Sequence, residues 1–160
     1  MNEEVIKLKY KFLNPYLYLY TGCGGHFTEP NGILTSPNWP NEYNNRDGCA
    51  YYINVPDATQ IVYYFTEFST EFDKDLLYWG QGYSTSGSTD LQAYQGDPTD
   101  LGPFTLDLTR NSDPLWFLWE TDRNVGQRGW RMVYAAGQWV FVVALIEVVS
   151  LTSRQPSSRP

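Results

Sequence analysis

Aromatic side chains are almost as frequent as charged ones in this 160-residue chain, 17% against 18%, and they fall in short runs cut by turn residues. Ala50-Tyr51-Tyr52-Ile53-Asn54-Val55, Gln60-Ile61-Val62-Tyr63-Tyr64-Phe65-Thr66 and Leu115-Trp116-Phe117-Leu118-Trp119-Glu120 concentrate the β-branched and aromatic residues that suit a pleated, half-buried surface. Gly, Pro, Asn, Asp or Ser bounds each run, which marks strands rather than helices. Strands are expected at 32–35, 50–55, 60–66, 76–79, 91–94, 104–108, 115–120 and 130–135. The Pro- and Asn-rich stretch 36–41, the Gly/Ser stretch 82–88 and Arg110-Asn111-Ser112-Asp113-Pro114 are loops by turn chemistry. Many short strands with regular breaks predict an all-β fold, a two-sheet antiparallel β-sandwich. The length suits one domain with flanks, enough for a two-layer core.

The formal net charge is −7, and basic residues cluster no more densely than Lys7, Lys9 and Lys11. Nucleic acid is therefore excluded as a partner, while an acidic surface favours cationic partners or divalent metals beyond its plain effect on solubility. Cys23 and Cys49, 26 positions apart, are the whole cysteine complement. They suit one disulfide in an oxidising compartment, the alternative being two buried thiols. Zinc finds no ligand set, because His26 is the sole histidine and there is no Cys-x-x-Cys. No Gly-x-Ser-x-Gly elbow is present, so the chain reads as a non-enzyme. There is no Asn-x-Ser/Thr sequon.

The two ends differ from the body. Residues 1–21 form an N-terminal extension whose start, Asn2-Glu3-Glu4, makes a poor secretory signal. Residues 137–151 form an apolar extension containing the run 139–146, Trp-Val-Phe-Val-Val-Ala-Leu-Ile. The stretch 135–151 offers seventeen residues interrupted by Gln138 and Glu147, short of the ~20 apolar residues a membrane helix needs. An extra packed element, or an interface with a neighbouring domain, is the favoured reading over membrane association. The tail 152–160 is expected to be disordered.

Within 22–136, five pieces follow one another in order. Cys23-Gly24-Gly25-His26-Phe27 runs through Asn31-Gly32-Ile33-Leu34 and Ser36-Pro37-Asn38-Trp39-Pro40 to Tyr43 and Cys49. Phe65-x-x-Phe68-x-x-Glu71, Asp75-x-Leu77 with Gly80, Asp122-x-Asn124 and Gly129-Trp130 with Tyr134 complete the series. This order resembles the CUB domain family, a jelly-roll β-sandwich that recognises proteins outside the cell. The resemblance implies a Cys23–Cys49 disulfide and a Ca2+ site formed by Glu71, Asp75 and Asp122, with Asn124 or adjacent carbonyls completing the shell. It also implies that Tyr43 hydrogen-bonds to the acids and borders the partner surface, and that a partner's basic side chain, a lysine, docks there.

Three features depart from the family pattern: the second cysteine pair is missing, the 71–75 loop is about four residues shorter than in cysteine-bearing relatives, and Tyr51 stands where a tryptophan is usual. None removes an expected ligand. Glu67 competes with Glu71, standing at the usual eight-residue interval before Asp75, whereas an ungapped count from Val55-Pro56 reaches Glu71. Glu71 is preferred, since a lost cysteine explains a shortened loop. Rival readings are a structural CUB spacer without metal and a carbohydrate-binding or glycan-active sandwich, the latter because paired carboxylates also serve glycoside hydrolysis.

Overall fold

The computed structural model describes residues 18–82, 92–108 and 114–137. Ten strands and no helix are found among them: β1 (Tyr18–Tyr20), β2 (Gly25–Phe27), β3 (Asn31–Thr35), β4 (Gly48–Ile53), β5 (Gln60–Ser69), β6 (Leu76–Gln81), β7 (Gln92–Tyr94), β8 (Phe104–Asp107), β9 (Leu115–Glu120) and β10 (Gly129–Gly137). They form two five-stranded sheets, ordered β1-β3-β10-β5-β8 and β2-β4-β9-β6-β7. The all-β sandwich is the expected class.

Each sheet is nevertheless mixed, because β1 pairs parallel with β3 and β2 parallel with β4. A parallel pair needs a crossover between its partners. Here the chain visits the opposite sheet in between. Three residues are too few for periodicity to show, so β1 and β2 carried no strand signal in the sequence. β1 also places residues 18–20 of the expected N-terminal extension within the first sheet. Most of the expected loops at 110–114 and 82–88, all of the expected 137–151 apolar extension after Gly137, and the 152–160 tail lie outside the described residues. No helix among the described residues is long and apolar enough to cross a membrane.

The space between the sheets is filled by rings. Tyr43 meets Trp119 edge-on at 5.0 Å, Trp119 meets Trp130 at 6.3 Å, Trp130 meets Tyr51 at 5.2 Å, and Tyr51 stacks towards Phe27 at 6.2 Å. Such edge-to-face pairs add about 0.5–1.5 kcal/mol each beyond the area they bury. Tyr51 also donates its hydroxyl to the Gly22 carbonyl at 2.8 Å, a bond that secures the segment just before the disulfide. Cys23 and Cys49 are bonded, with their Cα atoms 4.9 Å apart, tying the entry to β2 onto β4.

β5 breaks simple alternation. Residues three apart on a regular strand face opposite ways, yet Phe65 and Phe68 are both in the core. A bulge accounts for this: Arg131 of β10 pairs with Glu67 and Met132 with Phe65, so Thr66 is the extra residue. The Thr66 hydroxyl donates to the Arg131 carbonyl at 3.2 Å and accepts from the Arg131 guanidinium at 2.8 Å. One inserted residue thus turns a spacing of three into a single inward face.

Candidate calcium-binding rim

Three loops gather at one end of the sandwich because of strand register. β5 and β10 are partners up to Ser69↔Gly129, while β6 and β9 are partners from Leu76↔Glu120. The chain crosses from the first sheet to the second between β5 and β6, and returns between β9 and β10. Those two crossings are therefore neighbours. The β3–β4 connection crosses at the same end, since Thr35 pairs with Arg131 and Gly48 with Glu120.

Glu71 and Asp75 come from the first crossing and Asp122 from the second. One carboxylate oxygen of each lies within 4.8 Å of the others. Asp75 is wholly buried, and its carboxylate is shared: Oδ2 accepts the Tyr43 hydroxyl at 2.6 Å and Oδ1 accepts the Asp122 backbone N–H at 2.8 Å. The Tyr43 hydroxyl in turn accepts the Glu71 backbone N–H at 3.1 Å, so one phenol spans the ends of the 71–75 turn. Burial, with the bond to Asp75, pushes the Tyr43 hydroxyl far above its ordinary pKa, keeping it a donor. Asp122 Oδ1 accepts the Asn124 backbone N–H at 2.7 Å, the Asx geometry that folds this loop.

Further bonds brace both loops. The Thr70 hydroxyl donates to the Asp75 carbonyl at 3.0 Å and accepts from the Gly96 N–H at 2.9 Å. Arg46 N–H donates to the Asp122 carbonyl at 2.7 Å, and Tyr43 N–H to the Gln127 carbonyl at 3.0 Å. Gly126 packs so close to the Tyr43 carbonyl that a Cβ would stand 2.7 Å from it. Thr70, Arg46 and Gln127 gave no sequence signal, because they act through backbone bonds to residues remote in the chain.

The trio fits a hard cation. Oxygens that touch one calcium ion at about 2.3–2.6 Å stand no more than about 5 Å from each other. Moreover, Oε2 of Glu71 is shut off from solvent and has no hydrogen-bond partner among the described residues. A buried carboxylate oxygen left so is costly without a cation or donor. Glu67, by contrast, lies on β5 and pairs with Arg128 at 3.3 Å, apart from the trio. Asn124 is exposed and reaches the group through its backbone N–H. Tyr43 was expected to border the partner surface as well, but it is only 3% exposed. Its ring fills the space against Trp119, which leaves the hydroxyl to hold Asp75 and the 71–75 turn.

Comparison with known proteins agrees with this architecture. The family model described as the CUB domain matches residues 23–134, so this chain belongs to the CUB domain family. CUB domains are in general extracellular protein-interaction modules. Fibropellin-1 of Strongylocentrotus purpuratus is 33% identical over 119 residues, covering 73% of this chain and 11% of that protein. Cubilin of Canis lupus familiaris is 39% identical over 110 residues, covering 69% of this chain and 3% of that protein. The chain thus spans only a small part of these relatives. Among solved structures, the MASP-1 CUB2 domain bound to Ca2+ aligns over 73% of this chain and 100% of that one, with a TM-score of 0.54 and 22% identity. The full extracellular region of zebrafish Gpr126/Adgrg6 aligns over 73% of this chain and 15% of that one, with a TM-score of 0.59 and 22% identity. These likenesses establish the fold.

Proposed function

We propose that residues 22–136 act as an extracellular protein-binding module whose rim recognises a basic side chain in a calcium-dependent way. The observation that carries this reading is the convergence of Glu71, Asp75 and Asp122, with Glu71 Oε2 buried and unpartnered among the described residues. Glu71, Asp75 and Asp122 would hold the ion, and the loop around Asn124 would supply further oxygens. Calcium would fix the relative positions of the two crossings. Three carboxylates against one divalent cation leave a formal charge of about −1 facing outward, which a lysine of the partner neutralises. Tyr43 positions Asp75 and the 71–75 turn for this. The Ca2+-bound MASP-1 CUB2 domain supports the metal, and the disulfide supports an oxidising, extracellular setting.

An ion bound only by the folded chain stabilises it by mass action. At about 1 mM calcium and a dissociation constant of roughly 10⁻⁴ to 10⁻³ M, stabilisation of about 0.4–1.4 kcal/mol is expected. Thermal unfolding with calcium, with magnesium and with chelator is the test. A midpoint that calcium leaves unmoved, or that magnesium raises equally, sinks the assignment.

A further inference from the structure

Among the described residues, the exposed large apolar side chains are Tyr18, Leu19, Phe72 and Val125. Two of these four belong to the crossings that carry the acids. Phe72 follows Glu71 directly and is 71% exposed; Val125 lies three residues after Asp122 and is 58% exposed. Neither is loosely placed. The N–H before Phe72 is held by the Tyr43 hydroxyl, and the N–H after it by Gln95 Oε1 at 3.0 Å. The ring lies over Gly96, where a Cβ would approach Phe72 Cδ2 to 3.1 Å and where φ is +65°. Val125 is fixed between the Asx turn of Asp122 and the packed Gly126, with φ at +47°. A β-branched residue in the left-handed region is strained, and Asn or Gly would sit there more comfortably. Val125 therefore burdens the free chain in two ways, through strain and through exposed apolar surface.

We infer that Phe72 and Val125 are apolar contacts flanking the acidic rim, so that the partner presents a lysine or arginine between apolar side chains rather than an isolated basic residue. The proposal rests on the calcium-dependent reading of the same rim and adds the chemistry on either side of the charge. The acids select the partner's cation, and the two side chains lose their exposure when its neighbours cover them. Covering apolar surface of this order strengthens binding about tenfold. Apolar cover also excludes water from the charge pair and strengthens it.

The test uses the full chain and three soluble synthetic peptides, titrated by NMR in calcium and in chelator: a lysine flanked by leucines, a lysine flanked by serines, and a glutamine flanked by leucines. In calcium the leucine-flanked lysine should bind about tenfold more tightly than the serine-flanked one. Phe72→Ser and Val125→Asn should each remove most of that difference while keeping the calcium-induced thermal shift, since neither side chain belongs to the carboxylate trio. Val125→Asn should also raise the unfolding midpoint of the free chain. Equal binding of the two lysine peptides, or a preference untouched by both substitutions, overturns the inference and leaves the calcium-dependent basic recognition standing. Binding of the glutamine peptide equal to that of the lysine peptides, or indifference of all three to chelator, overturns that recognition itself. Absence of binding by every peptide at millimolar concentration overturns both.

Discussion

Between the sheets, Trp119, Trp130, Tyr51 and Tyr63 are at most 1% exposed, and each ring touches others, so no single contact decides the packing. At the rim, Glu71, Asp75 and Asp122 each bring one carboxylate oxygen to the cluster, and one hydroxyl, that of Tyr43, joins the Asp75 carboxylate to the Glu71 backbone N–H. The core gains stability from area, which is diffuse and tolerant of exchange. The rim depends on atoms placed to within tenths of an ångström, held by hydrogen bonds from chain segments far apart in sequence. Tyr43 belongs to both regions: its ring closes the aromatic column on Trp119, and its hydroxyl orders the acids. Damage to the core should therefore appear as lost stability, and damage to the rim as a lost calcium response.

The largest effect should come from Trp130→Ala, which empties a wholly buried site contacting Trp119 and Tyr51. Urea unfolding should show a loss of about 3–5 kcal/mol. A loss under 1 kcal/mol would mean that the aromatic column is not the centre of the fold. Next, Cys23→Ala combined with Cys49→Ala removes the cross-link and should cost roughly 2–5 kcal/mol, matched by adding reductant to the wild type.

At the rim, Asp122→Ala should cost about 1 kcal/mol or less in chelator, through the lost Asx bond to Asn124, yet abolish the calcium-induced shift. A shift that survives this change would separate the metal from the trio. Tyr43→Phe keeps the ring on Trp119 and deletes the hydroxyl, so stability without calcium should fall by about 1 kcal/mol and the calcium response should weaken rather than vanish. Smallest of all, Glu67→Gln breaks an ion pair with a largely exposed Arg128 and should change stability by no more than about 0.5 kcal/mol. It should leave the calcium shift intact. A lost shift here would return Glu67 to the ligand set in place of Glu71.

Much of the fold was legible because strand runs are local. The eight expected strands all occur within a few residues of their expected bounds, from β3 to β10. β1 and β2 escaped notice because three residues carry no period, and their parallel pairing depends on which sheet the chain visits between partners. The motif Phe65-x-x-Phe68 also defied simple alternation. Only the bulge at Thr66, set by pairing with β10, brings both rings inward. At the rim, Glu71, Asp75 and Asp122 could be named from motif positions, but nothing in the order of residues chooses Glu71 over Glu67 by physics.

By itself the sequence determined the all-β class, the acidic balance, the one available disulfide pair and the short list of acids, since each follows from residue type and near-neighbour pattern. Tertiary structure alone decided which acids meet. That outcome hangs on two registers, Ser69↔Gly129 in one sheet and Leu76↔Glu120 in the other, which set two crossings side by side. It alone also turned Tyr43 inward and left Phe72 and Val125 outward. Proximity across 47 positions of chain, from Asp75 to Asp122, is a property of packed strands, and no local preference encodes it.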